Sequence, residues 1–201
     1  MATVEILVYD GFDELDAIGP FEAFEMAVDD GASLAVSLVT VERQARVTAA
    51  HGLRIDTDGV LSADDPPDLL LVPGGGWNDR RERGAWAEAE RGVVPDVVAG
   101  VHDAGATVAS VCTGGMLLSR AGLLAGRPAI THSGALNDLR ATDADVVAAR
   151  VVDDGDVVTA GGITSGLDLA LHLLERLVDR ETAERVARGL EYDRRDDVSV
   201  S

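Results

Sequence analysis

Two patterns of apolar positions alternate along the chain. Short runs of apolar and β-branched residues fall at Val4–Tyr9, Leu34–Thr40, Asp68–Pro73 and Thr107–Val111. Runs of this kind suit strands buried on both faces. Helical spacing appears from Gly84 to about Ala104, with Pro95 as a start or break, then after Thr113, and over Leu167–Val178 and Thr182–Leu190. Pro20 suits the first turn of a helix, which predicts a helix from near Gly19 to Asp29 and leaves Asp16 in the preceding loop. Two hairpins are expected, one around His51-Gly52 and one between Arg150-Val-Val-Asp and Asp156-Val-Val-Thr-Ala, turned by Asp154-Gly155. Pro128–Thr131 reads as extended, followed by His132 and a helix over Ser133–Leu139. The alternation predicts an α/β three-layer sandwich with a mainly parallel, flavodoxin-like sheet. Residues 1–192 are expected to form a single domain, and residues 193–201 a frayed acidic tail.

Composition narrows the class. The 201 residues carry 36 acids against 17 bases, a net charge of −19, and every one of those bases is arginine. Such a chain lacks the basic footprint that nucleic-acid binding needs. A lysine-free acidic surface fits adaptation to a high-salt cytosol, the competing reading being a GC-rich genome with an ordinary acidic surface. Asp10, Asp13, Glu14 and Asp16 interrupt the first apolar stretch, so no signal-peptide pattern follows Met1, and no segment suits a membrane span. One cysteine allows neither an internal disulfide nor a cysteine zinc site. The expected compartment is a reducing cytoplasm.

That cysteine, Cys112, stands where strand spacing gives way to helical spacing, ahead of Thr113-Gly114-Gly115. A residue there must turn the chain sharply, the logic of a nucleophile elbow, and the following helix start is expected to favour thiolate over thiol. A small buried hydrophobe is the competing reading. Asp16 and Gly74-Gly75-Gly76 follow other strands and should gather at the same sheet edge. Asp16 can serve as an acid if burial raises its pKa, and otherwise is a loop acid. The glycines, with the Thr113 N–H, can cradle an oxyanion, or simply make a tight turn.

Taken together, the motifs resemble the ThiJ/PfpI superfamily of the class I glutamine-amidotransferase-like fold, and within it the isocyanide hydratase branch. The matching stretches are Leu15-Asp16-Ala-Ile-Gly19-Pro20, Val72-Pro73-Gly74-Gly75, Ser110-Val-Cys112-Thr113-Gly114, Ala121–Arg127, Thr131-His132, Ala160–Asp168 and Leu190-Glu-Tyr192. The resemblance implies a nucleophile at Cys112, an acidic partner at Asp16 and a threonine, Thr113, beside the nucleophile. It also implies substrate or oxyanion contacts from Gly74, Gly75, Gly161, Ile163 and His132, a homodimer, a small-molecule substrate, and neither metal nor organic cofactor. Many relatives carry His directly after Cys, where this chain has Thr113. The hydratase pattern continues after Thr-His with Trp, where this chain has Ser133. Two other expectations stand beside hydration: a thiol enzyme acting on α-oxoaldehydes or glycated amines, and a cysteine sensor of redox state or ligand. Related sensing domains continue into a DNA-binding region, for which this chain is too short.

Overall fold

The computed structural model describes residues 1–201. Its strands are β1 (Ala2–Leu7), β2 (Leu34–Thr40), β3 (Arg46–Thr48), β4 (Arg54–Asp56), β5 (Gly59–Val60), β6 (Leu69–Val72), β7 (Thr107–Ser110), β8 (Pro128–Ala129), β9 (Asp145–Val146), β10 (Val151–Asp153), β11 (Val157–Ala160) and β12 (Val198–Val200). The helices are α1 (Glu14–Asp29), α2 (Ala85–Arg91), α3 (Val93–Asp103), α4 (Gly114–Arg120), α5 (Leu136–Arg140), α6 (Ser165–Leu177) and α7 (Arg180–Gly189), with a 3₁₀ turn at Ser133–Ala135 before α5.

Eight strands form the central sheet in the order β12-β10-β11-β7-β6-β1-β2-β5. The inner run β2-β1-β6-β7-β11 pairs parallel throughout, which is flavodoxin-like order, and only β10 and β12 run the other way. Every residue of β6 and β11 is buried, as an apolar run between two helical layers should be. Helices α1, α6 and α7 pack against one another, as do α2, α3 and α4. No helix is long and apolar enough to cross a membrane.

Two expectations are corrected. Helix α1 begins at Glu14, so Asp16 lies in its first turn and Pro20 falls inside the helix. Asp13 caps that start by accepting the Leu15 N–H at 3.2 Å. The proline cannot donate to the Asp16 carbonyl, but tertiary packing outweighs that loss. Here α1 meets α6 closely: an ideal Cβ on Gly166 would sit 3.5 Å from the Pro20 ring. The other correction concerns residues 193–201, which are tied down. The Asp197 carbonyl accepts the N–H groups of Arg150 and Val151 at 3.0 and 3.1 Å, and Val198–Val200 pair in parallel with β10. The Val-Ser-Val alternation supplies strand character that the surrounding acids masked.

Candidate active site

Flavodoxin-like order places a topological switch between β1 and β6, and the loops beyond the carboxyl ends of β1, β6 and β7 meet there. The β7 loop brings Cys112, whose φ of +58° is left-handed, an unusual state for a residue with a side chain. Its backbone is fixed from several sides. The Cys112 N–H donates to the carbonyls of Ala160 at 3.2 Å and Gly161 at 2.8 Å. Its carbonyl accepts the Thr131 hydroxyl at 2.8 Å. The β6 loop crosses directly over the elbow, backbone on backbone. A Cβ on Gly74 would collide with Thr113, and one on Gly114 with the Val72 carbonyl, so only glycine fits either position.

The glycine N–H groups have a different job from the oxyanion cradle expected of them. Gly74 donates to Asp16 Oδ2 at 2.9 Å, and Gly75 donates to Thr113 Oγ1 at 2.9 Å. Both donors are spent on holding the site together. The backbone N–H groups of Thr113 and Ile163, both beside Cys112 on the cavity wall, favour the thiolate. Against them, burial first and the Asp16 charge second push the thiol well above its ordinary pKa, with Asp13 adding to the rise. The expected easy thiolate is therefore corrected: α4 is short, and two local N–H groups do not offset desolvation in the resting site.

Asp16 is fully buried. Burial, helped by the Asp13 charge, raises its pKa to about 8, while the Gly74 N–H and the Cys112 thiol pull it down. Its second oxygen, Oδ1, is buried with no well-formed protein hydrogen bond, although the thiol favours the carboxylate. Cys112 and Asp16 are thus a thiol and a carboxyl that shift one another's titration in a buried setting.

In front of the sulfur lies a cavity of about 140 Å³, walled by Cys112, Thr113, Ile163, His132, Gly75 and a polar rim that includes Asp13, His51, Asn78 and Arg81. His132 Nδ1 accepts the Gly134 N–H at 3.0 Å. A neutral imidazole in that state carries its proton on Nε2. Gly161 and Ser133 line a separate cavity of about 310 Å³ instead. Gly161 supports the elbow through its carbonyl, and Ser133 lies outside the Cys112 cavity.

Sequence reasoning did not single out Asn78, Arg81 or His51. The first two follow the Gly74–Gly76 run, whose glycines had already marked that loop. His51 is delivered by the tip of the β3–β4 hairpin, and no local signal joins it to the first turn of α1. There it pairs with Glu14, Nδ1 to Oε2, at 2.6 Å.

The profile of the DJ-1/PfpI family matches residues 2–176, and the chain belongs to that family. An isonitrile hydratase from Pseudomonas putida is 34% identical over 94% of this chain and 78% of its own length. A deglycase from Pyrococcus abyssi is 28% identical over 78% of this chain and 88% of its own. The crystal structure of a ThiJ/PfpI family protein from Pseudomonas syringae superposes with a TM-score of 0.82 at 28% identity, covering 96% of this chain and 76% of that one.

Proposed function

We propose, with membership of the DJ-1/PfpI family as premise, that this protein hydrates an isocyanide to an N-substituted formamide through a thioimidate on Cys112. The carrying observation is the pairing of a left-handed elbow cysteine with a buried carboxyl whose pKa is about 8, at the back of a small cavity. An acid so placed is half-ionised near working pH and can both take and return a proton. Similarity to an isonitrile hydratase supports the choice of substrate class.

The reaction then runs in two halves. Asp16 as carboxylate takes the thiol proton while sulfur adds to the terminal carbon of R–N≡C. It returns that proton to the same carbon, leaving the thioimidate R–N=CH–S–Cys112. The Thr113 and Ile163 N–H groups hold the sulfur as its charge develops. Water then adds to the imidoyl carbon, its proton passing to nitrogen. Collapse expels the thiolate while the Asp16 carboxylate takes the hydroxyl proton and passes it to the sulfur, releasing R–NH–CHO and restoring the resting pair. His132 Nε2–H and the Asn78 amide, both on the cavity wall, orient the water or the substrate nitrogen. Neither metal nor organic cofactor enters this scheme.

Incubation with a simple alkyl or aryl isocyanide, followed by mass spectrometry, tests the proposal. Formamide should appear with the native chain and be absent with Cys112→Ala. No formamide from a folded protein whose thiol is intact overturns the isocyanide assignment.

A second reading, action on α-oxoaldehydes or glycated amines, is favoured by the His132 N–H at the cavity wall and by similarity to a deglycase. Methylglyoxal consumption without formamide production would select it. Ready oxidation of Cys112 by peroxide with neither activity would select a sensor. We also propose a homodimer in a cytosolic setting: Leu15 and Leu53 are large apolar residues left 42% and 44% exposed. Light scattering should give twice the chain mass.

A further inference from the structure

We propose that Arg150 is a positioning residue that fixes the Gly161–Thr164 segment against the Cys112 elbow. Arg150 precedes β10, on the far side of the Gly161–Thr164 segment from the elbow. Its carbonyl accepts the Gly161 N–H at 3.0 Å, and its own N–H is held by the Asp197 carbonyl at 3.0 Å. Its side chain reaches back along the same segment. Nη2 donates to Thr164 Oγ1 at 3.0 Å, and Nε pairs with Asp168, which is fully buried in α6. The Tyr192 hydroxyl donates to the same Asp168 oxygen at 2.9 Å, and the Arg195 N–H donates to the other at 2.9 Å.

One residue therefore grips the segment at three points: Gly161 through the backbone, Thr164 and Asp168 through the guanidinium. Ile163 lies between them. Gly161 also supplies the carbonyl that receives the Cys112 N–H at 2.8 Å, so elbow and segment share one frame. The Thr164 hydroxyl makes no helix-capping bond, and its hydrogen bond is the one to Arg150. A planar fork can serve Thr164 and Asp168 together, as an ammonium cannot. This network does no chemistry itself. It acts by holding the Gly161 carbonyl on the Cys112 N–H and Ile163 beside the thiol on the cavity wall.

The test follows the thiol and needs no knowledge of the substrate. The groups facing Cys112 or its cavity are Asp13 and Asp16 at the start of α1, Tyr9 after β1, His132 after β8, His51 of the β3–β4 hairpin, and Asp79 and Arg81 after β6. None of these is altered in the variants. Iodoacetamide alkylation of Cys112 is followed by intact mass from neutral to alkaline pH. Thr164→Val leaves the Arg150–Asp168 pair in place but removes the Thr164 anchor. Arg150→Lys keeps the charge opposite Asp168 but loses the fork. Both should move the profile to higher pH, with alkylation at neutral pH slowed roughly tenfold, the size of a one-unit shift in thiol pKa. Arg176→Ala removes a bond at 3.0 Å from α6 to Asp153 of β10 but spares every contact of the Arg150 guanidinium, so its profile should match the native one. The proposal fails if Thr164→Val and native profiles superimpose. It also fails if Arg176→Ala shifts as far as Thr164→Val, since that would show general loosening. Because the readout is the thiol, this result stands apart from whether formamide forms.

Discussion

Glu14 and Asp16 share the first turn of α1, two residues apart, yet they titrate in opposite directions. Glu14 looks outward. Slight burial pushes it up, but hydrogen bonds from the His51 ring, from its own N–H and from the His51 N–H hold it below the ordinary carboxylate range. His51 is raised in return, first through its hydrogen bond to Glu14 and then through the charge. Asp16 looks inward, where burial outweighs its bond from Gly74 and carries it to about 8. The helix, the turn and the functional group are the same. What differs is the solvent each carboxyl has lost and the donors that replace it. A carboxyl with a full set of partners becomes a fixed charge, whereas one left short of partners becomes a movable proton.

The largest break in that picture comes from removing the group the movable proton serves. Cys112→Ala should abolish turnover in the formamide assay while leaving the thermal melt nearly unchanged, since one small buried side chain replaces another. Next, Asp16→Asn keeps the shape and loses the proton, which should cost ~10²–10⁴ in the single-turnover rate. Glu14→Gln should leave that rate within a factor of a few, about the change expected of a group outside the proton path. If the two carboxyl variants were equally damaging, the inside–outside distinction would fall.

Stability sharpens the same contrast. The folded-state pKa of Asp16 is raised, so between about 4 and 8 the folded protein retains a proton that the unfolded chain has lost. Stability from this group is therefore full near pH 4 and declines as pH rises toward 8. Asp16→Asn carries no such burden. Denaturant melts should show it gaining on the native protein with rising pH, by on the order of a few kcal/mol in mildly alkaline buffer. A native and variant difference that is flat in pH would mean that Asp16 is not held protonated by burial. The smallest effect is on the exposed side. In Glu14→Gln, the His51 ring should titrate at lower pH than in the native chain, as read by NMR.

Much of this was legible in the sequence because strands buried on both faces and glycines at close backbone approaches leave local marks. The Thr107–Val111 run, the Gly114-Gly115 pair and the Gly74–Gly76 run located the elbow and the loop over it. Asp16 was found, but its placement in a loop followed from trusting Pro20 as a helix start. The helix tolerates that proline because α6 packs against it at Gly166, a contact no local window contains. The donor economy was not legible either. Whether the Gly75 N–H faces a substrate or Thr113 Oγ1 is settled by the 2.9 Å hydrogen bond across loops far apart in sequence. Arg150 was read only as the first residue of a hairpin strand, because its partners Thr164, Asp168 and Tyr192 lie on elements that meet only in the folded chain.

Strand β12 has a consequence for how copies of this chain coexist at high concentration. It closes the flank of β10, whose Val151-Val152-Asp153 backbone would otherwise offer a free ladder to any neighbouring strand. The new border is only Val198–Val200, preceded by Asp193, Asp196 and Asp197. A border so short is a poor template for edge-to-edge stacking. The last residues thus work as a selvedge on the sheet, finishing it against unravelling into aggregates, and shortening the chain here would trade a tidy margin for a sticky one.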